Sequence, residues 1–338
     1  MSVAKLLPLK DINIAIEESL AEIDAERQDE QLGLFSSWAG INRSMGKYWR
    51  FNTITLMASK MGMGKSYALN QLHFDFSDVK EIRNKNNEIV YKGINTNFIY
   101  PVEILHFGFE MDAKDEVHRH MSRLTGKSHS YLLSSQWSKD SNLYNKITED
   151  EFVNIKSRMN YLKDRPITYV ELSGNIFDIR KTVDQFVAIK RKVNPNTRFV
   201  ITLDHYLLVR KGEENSDGEL IANIAYMFLG IRKTYKAMII ILGQMNNNIT
   251  NVDRMTVPGL NYPNDSDIYW GGQLNWACDN IWIFPYRPKL INLVEYGVER
   301  VPTDNLTIAS CVKSRRGKIG DIYFTDHLES ARFIERTN

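Results

Sequence analysis

The chain has 338 residues, 43% hydrophobic and 25% charged, with a formal net charge of +2 from 43 basic and 41 acidic side chains. That is the balance of a globular protein; a chain coating nucleic acid with its whole surface would be more basic, so any nucleic-acid contact must be a local patch or a few loops. Two cysteines, Cys278 and Cys311, are too few for a disulfide scaffold and lack the spacing of a zinc site, and no run approaches the ~20 apolar residues of a membrane span, so a cytoplasmic protein with no membrane partner is expected.

In chain order, Met1–Leu9 has no long apolar core and no small-residue cleavage site, so export is not expected. Residues 10–31 place Ile12, Ile16, Leu20 and Ile23 on one face of a helix whose other side is acidic, and Gly33 breaks the pattern. The stripe has to cover either its own domain or a neighbouring subunit; periodicity leaves both open. From Asn52 onward short apolar runs alternate with helical patterns, the signature of a parallel sheet covered by helices. The runs are Thr53–Ala58, Ile104–Phe109, Ile167–Leu172, Arg198–Leu203, Ala237–Gly243 and Asn280–Phe284. The clearest helix spans 175–193, with Ile176, Ile179, Val183, Phe186 and Val187 sharing a face. Segments 78–103 and 127–165 are polar and read as insertions. Leu290–Arg332 (LINLVEY, NLTIASCVKS, IGDIYFT) alternates and reads as antiparallel strands added at the sheet edge.

The first strand runs into Ser59-Lys-Met-Gly-Met-Gly-Lys-Ser66, which opens a helix: the context a phosphate-binding loop requires. Gly62 and Gly64 let the backbone curl so that successive N–H groups face phosphate oxygens. Lys65 reaches the β- and γ-phosphates, and Ser66 offers its hydroxyl to Mg²⁺. Ser59, Met61, Met63 and Tyr67 complete the expected ATP cradle, with Ser59 standing where the strict pattern has its first glycine. Arg198–Asp204 is an apolar strand ending in an acid, so Asp204 is the expected partner of Ser66 at the magnesium. His205 follows, where many such ATPases place a glutamate base. In RecA-like folds the glutamate instead ends a neighbouring strand, and Ile104–Glu110 ends in one, making Glu110 the candidate that orients the attacking water. Gln244 ends another strand and is placed to sense the γ-phosphate. Two polar excursions, 207–218 and 245–272, are long enough to be functional loops.

Across residues 10–335 the sequence resembles the C-terminal motor domain of DnaB-like replicative helicases, including phage-encoded versions. M-G-M-G-K-S resembles the family's M-G-K-T/S, F-G-F-E-M at 107–111 its S-L-E-M, L-D-H-Y-L at 203–207 its I-D-Y-L-Q, and G-Q-M-N-N at 243–247 its S-Q-L-N-R. Lys313-Ser-Arg-Arg-Gly-Lys-Ile-Gly320 is similar to K-Q-R-N-G-P-I-G. The resemblance implies that Lys313 and Arg315 reach the γ-phosphate of the next subunit and that Arg119 lies near the nucleotide. It places single-stranded DNA on the two loops, at Arg210 and Lys211 in the first and Asn246, Asn247, Tyr269, Trp270 and Gly272 in the second. There the family's D-L-R-E-S-G has become Asp267-Ile-Tyr-Trp-Gly-Gly272, and aromatic side chains can stack on bases.

The resemblance further implies a ring, a hexamer in the family, with a primase or a helicase loader as a further partner. The family's N-terminal primase-interacting domain is not expected here; residues 1–32 are read as the linker helix docking on an adjacent subunit and 33–338 as the motor. The expectation is therefore a three-layer α/β RecA-like fold with a mostly parallel sheet and antiparallel C-terminal edge strands. The resemblance implies a replicative helicase motor that hydrolyses ATP at subunit interfaces to translocate on single-stranded DNA and unwind duplex. The rivals are a filament-forming strand-exchange recombinase and a non-translocating ATP switch; the basic segment 313–320 favours the helicase over the first, and intact Lys65, Glu110 and Arg315 over the second.

Overall fold

The computed structural model describes residues 9–83, 87–133, 147–269 and 271–336. Trp270, the start of the 1–32 segment and parts of both expected insertions lie outside them.

Nine strands form the main sheet: β1 Thr53–Ser59, β2 Val102–Gly108, β3 Ile167–Val170, β4 Arg198–Asp204, β5 Met238–Gln244, β6 Asn280–Tyr286, β7 Thr307–Ser314, β8 Gly320–His327 and β9 Arg332–Glu335. They lie side by side as β9-β8-β7-β6-β1-β5-β4-β2-β3. β1 to β6 are mutually parallel; β7 then pairs antiparallel with β6, β8 with β7 and β9 with β8. β5 shows why these runs are buried strands: Ile239 and Ile241 enter one hydrophobic layer, Met238, Ile240 and Leu242 the other, the period-two alternation of a sheet covered on both faces.

One short helix and three longer ones flank the phosphate loop and the strand after it: α1 Ile12–Arg27, α2 Ala39–Ser44, α3 Lys65–Phe76 and α4 Ala113–Thr125. Then come α5 His129–Leu132, α6 Glu149–Asn160, α7 Ile176–Val193 and α8 Asp217–Tyr235. α7 and α8 cover one face, with Ile179, Val183, Phe186, Leu220, Ile224 and Phe228 in the core. α3 and the segment carrying Leu34, Trp38, Ile41 and Trp49 cover the other. The result is the three-layer, mostly parallel α/β fold of RecA-like proteins. α7 begins on a capping box, Asn175 with Asp178.

The C-terminal reading needs two corrections. LINLVEY is not an edge strand: Pro288–Ile291 is a 3₁₀ turn, and Glu295–Tyr296 pairs with Val301–Pro302 in a separate hairpin. Pro288 and the left-handed Asn292 interrupt the run. The edge strand is instead β9, closed along its outer side by side chains: the Trp38 indole and Gln71 amide donate to the Phe333 carbonyl, Gln71 accepts the Phe333 N–H, and Arg123 donates to the Ala331 carbonyl. Segment 78–103 is also less detached than its polarity suggested. Asn95 is fully buried, accepting from Gln31 and the Phe35 N–H and donating to the carbonyls of Phe35 and Asp75.

α1 lies with its acidic side on the body. Arg50 pairs with Glu22 and Glu26 (2.7 and 3.0 Å), Lys47 with Glu26 (2.9 Å) and Arg316 with Glu22 (3.1 Å). Ile12, Ile16, Leu20 and Ile23 remain exposed. Among the described residues no helix is long and apolar enough to cross a membrane.

Candidate nucleotide-binding site

Parallel strands direct their C-terminal ends to one edge of the sheet, and α/β proteins bind ligands beyond that edge. β1, β5 and β4, adjacent in the sheet, deliver Ser59, Gln244 and Asp204 there together. Residues 60–64 curl from Ser59 into α3. Gly62 and Gly64 have φ of +79° and +98°, and a side chain at Gly64 would also press on Phe333 and Leu328 at 3.2–3.3 Å. Met63 is buried beneath the loop and Met61 exposed on it. Ser59 explains its departure from glycine: its fully buried hydroxyl donates to the Pro285 carbonyl of β6 at 2.6 Å.

Lys65 and Ser66 form the first turn of α3, where unpaired N–H groups and the helix dipole favour an anion. The Lys65 ammonium is 3.5 Å from the Gln244 amide oxygen; burial lowers its pKa, and the charges of Asp204 and Glu110 oppose that shift. The Ser66 hydroxyl donates to Asp204 Oδ2 at 2.7 Å. Asp204 Oδ1 is buried with no hydrogen-bond partner among the described residues, and burial raises the pKa of this carboxyl against the Ser66 bond and Lys65. An unsatisfied carboxylate oxygen beside a serine hydroxyl fits a hard, hydrated cation such as Mg²⁺.

Arg119, buried on α4, is held by Glu116 at 2.9 Å and lies over the Tyr67 ring at 4.3 Å, one residue beyond Ser66. β2 ends at Gly108, two residues short of the strand expected, though the Phe109 N–H still donates to the Asp204 carbonyl at 3.1 Å. Glu110 therefore stands exposed beyond the sheet, close enough to shift both Lys65 and Asp204. His205 is pushed down to about 4 by burial and by Lys65, and its Nδ1 accepts the Leu207 N–H at 3.3 Å.

Gln244 is wired to the loop behind it. Its carbonyl accepts the Tyr269 N–H at 2.7 Å, the Tyr206 hydroxyl donates to the Tyr269 carbonyl, and the Met245 N–H donates to the Ser59 carbonyl at 3.1 Å. Among the expected DNA contacts, Arg210, Asn247, Tyr269 and Gly272 are exposed. Lys211 pairs with Asp217 at 2.7 Å, and the Asn246 side chain is spent within its own loop, on the Ser266 carbonyl and the Asn248 N–H.

Lys313 and Arg315 are not near this pocket. Ser314 is level with Asn280, and Asn280 with Thr55, at the opposite end of the sheet; four residues of β1 put Ser59 roughly 13 Å above that level. There Lys313 donates to the Asn275 carbonyl, and Arg315 meets Asp279 at 3.3 Å and the Trp276 carbonyl at 3.5 Å. Gly317 allows the basic turn to sit on α2, since any Cβ would fall 1.8 Å from the Ser44 carbonyl. Sequence reading missed Phe333, Leu328 and Tyr206; the alternation of R-F-I-E at 332–335 was the one available signal for the first.

A family model described as "DnaB-like helicase C terminal domain" matches residues 36–335. Comparison with curated proteins finds no match. A solved structure described as "ATPase Domain of G40P" superposes with a TM-score of 0.70 at 17% identity, over 95% of this chain and 99% of that one. Another, "The Structure Of A DnaB-Like Replicative Helicase And Its Interactions With Primase", gives 0.69 at 20% identity, over 97% and 67%. At such identities the likeness speaks for the fold alone.

Proposed function

The chain belongs to the family of DnaB-like helicase C-terminal domains, and from that premise we propose that it is the ATP-driven motor of a ring-shaped replicative DNA helicase. The loop 59–66 holds the phosphates on backbone N–H groups and Lys65. Ser66 and Asp204 hold Mg²⁺, which neutralises phosphate charge when bound. Glu110 orients a water on the γ-phosphate, and Gln244 senses whether that phosphate is present. Loss of the γ-phosphate releases Gln244, and its carbonyl bond to Tyr269 carries the change into loop 245–272, which with loop 207–218 grips single-stranded DNA in the channel. Loop-mediated contacts are consistent with a net charge of only +2.

What carries the reading is the separation of Lys313 and Arg315 from the pocket of their own chain. If these cations complete a site, it belongs to another copy, so hydrolysis requires an assembly. The hydrophobic stripe of α1, turned away from its own body, supports the same arrangement: residues 1–32 dock on the adjacent subunit, as a hexamer of this family would have it.

The test mixes two inactive variants. Lys65→Ala has a dead pocket and an intact basic segment; Arg315→Ala has the reverse. Mixed assemblies contain some interfaces with both parts intact, so DNA-stimulated ATPase above either parent is expected. A trans-acting cation is worth ~10³–10⁵ in rate in well-studied phosphoryl-transfer enzymes. Absence of rescue, with co-assembly verified by pull-down, would overturn the interface mechanism. Filaments rather than rings in negative stain with ATP and single-stranded DNA would point to a recombinase, and turnover indifferent to DNA to a switch.

A further inference from the structure

One cluster of ligating side chains plays no part in nucleotide binding. Asp115 and His118 are a turn apart on α4, and His129 opens α5 beyond the left-handed turn at Gly126 (φ +70°). Their ligand atoms all lie within 4.8 Å of one another, and all three residues are half-buried. His118 Nδ1 stands 3.9 Å from Asp115 Oδ1. The two imidazoles meet nearly at right angles (88°) with centroids 5.2 Å apart, in edge-to-face contact rather than stacked. Among the described residues His118 Nδ1 also has no hydrogen-bond partner and is shielded from solvent, a state that is costly unless something occupies the lone pair.

We propose that Asp115, His118 and His129 form a binding site for a divalent transition-metal ion of the zinc, cobalt and nickel class. Two imidazoles and one carboxylate are a borderline donor set, suited to those ions, whereas Mg²⁺ and Ca²⁺ prefer oxygen donors. Ligands of a tetrahedral Zn²⁺ at about 2.0–2.1 Å stand roughly 3.3 Å apart, so closure needs side-chain rotations of about an ångström. Three protein ligands leave the remaining position to water. A bound ion staples α5 to α4, the helix that follows Glu110 and carries Arg119, and fixes the turn at 126–128.

The experiment uses the untagged full chain, stripped with chelator and free of nucleotide. Titration with Co²⁺, followed by visible absorption, and with Zn²⁺, followed by calorimetry, should give one equivalent bound and a rise in thermal midpoint. Millimolar Mg²⁺ should not compete. His118→Gln should weaken binding at least about tenfold, as should His129→Gln, which alters only a four-residue surface helix and so keeps the test valid if the first variant folds poorly. Asp204→Asn, which removes the carboxylate of the nucleotide pocket, should leave Co²⁺ binding unchanged. Absence of saturable binding would overturn the proposal; so would binding that survives in the double histidine variant or disappears in Asp204→Asn.

Discussion

Glu110 and Asp204 are both carboxylates at strand ends, yet they sit in opposite environments. Asp204 is buried with one oxygen unsatisfied, while Glu110 is exposed beyond the sheet. An exposed carboxylate that orients water can be replaced without disturbing the core. Glu110→Gln should therefore retain ATP binding while its hydrolysis rate falls by a factor of ~10²–10⁴, measured by pairing filter-binding with single-turnover assays; a wild-type rate would remove Glu110 from the mechanism. A second residue-scale prediction concerns Asp75. Burial raises its carboxyl to about 6, against the hydrogen bonds from Ser37 and the charge of Arg123. The folded chain thus holds this proton to a higher pH than the unfolded chain, whose aspartate titrates near 3.9. Stability is fully supported below that value, falls as pH rises to about 6, and is level beyond, a loss of order 2–3 kcal/mol. Urea midpoints between pH 4 and 7 should show that slope, and Asp75→Asn should flatten it. The residues of the phosphate loop were legible because their chemistry requires a contiguous run. The Ser59–Pro285 bond was not, because its partners are 226 positions apart.

Elements with a complete local signal were read closely. α7 has its apolar face, its capping box and basic residues in its last turn, and it starts one residue from the expected position. β9 was missed because a four-residue strand carries almost no periodicity, and LINLVEY was over-read because alternation cannot reveal a chain turned aside at Pro288 and Asn292. α1 is a mixed case. Its apolar stripe was visible in the sequence, but the destination of that stripe was not, and in the structure the acidic side meets the body instead. Leu20→Asp with Ile23→Asp should therefore leave the thermal midpoint of the isolated chain within about 1 °C, since surface changes cost little. The same change should abolish sedimentation of the larger assembly. A large drop in midpoint would mean that the stripe packs within its own chain.

For the whole molecule, the proposed site is complete only between copies. Specific ATPase activity should then rise with protein concentration and collapse on dilution, whereas binding of a fluorescent ATP analogue through Lys65 should change far less across the same range. Activity independent of concentration down to nanomolar protein would argue for a self-sufficient pocket. The two ends of the sheet also carry a geometric consequence. If, as proposed, Lys313 and Arg315 complete a neighbour's pocket within a ring, each copy presents its head to the tail of the next. Every joint around such a closed circle points the same way, so each pocket is completed by one neighbour and completes the other. The circle has a sense of rotation built into it. A firing order that runs around it in a single direction needs no further device to choose between clockwise and anticlockwise.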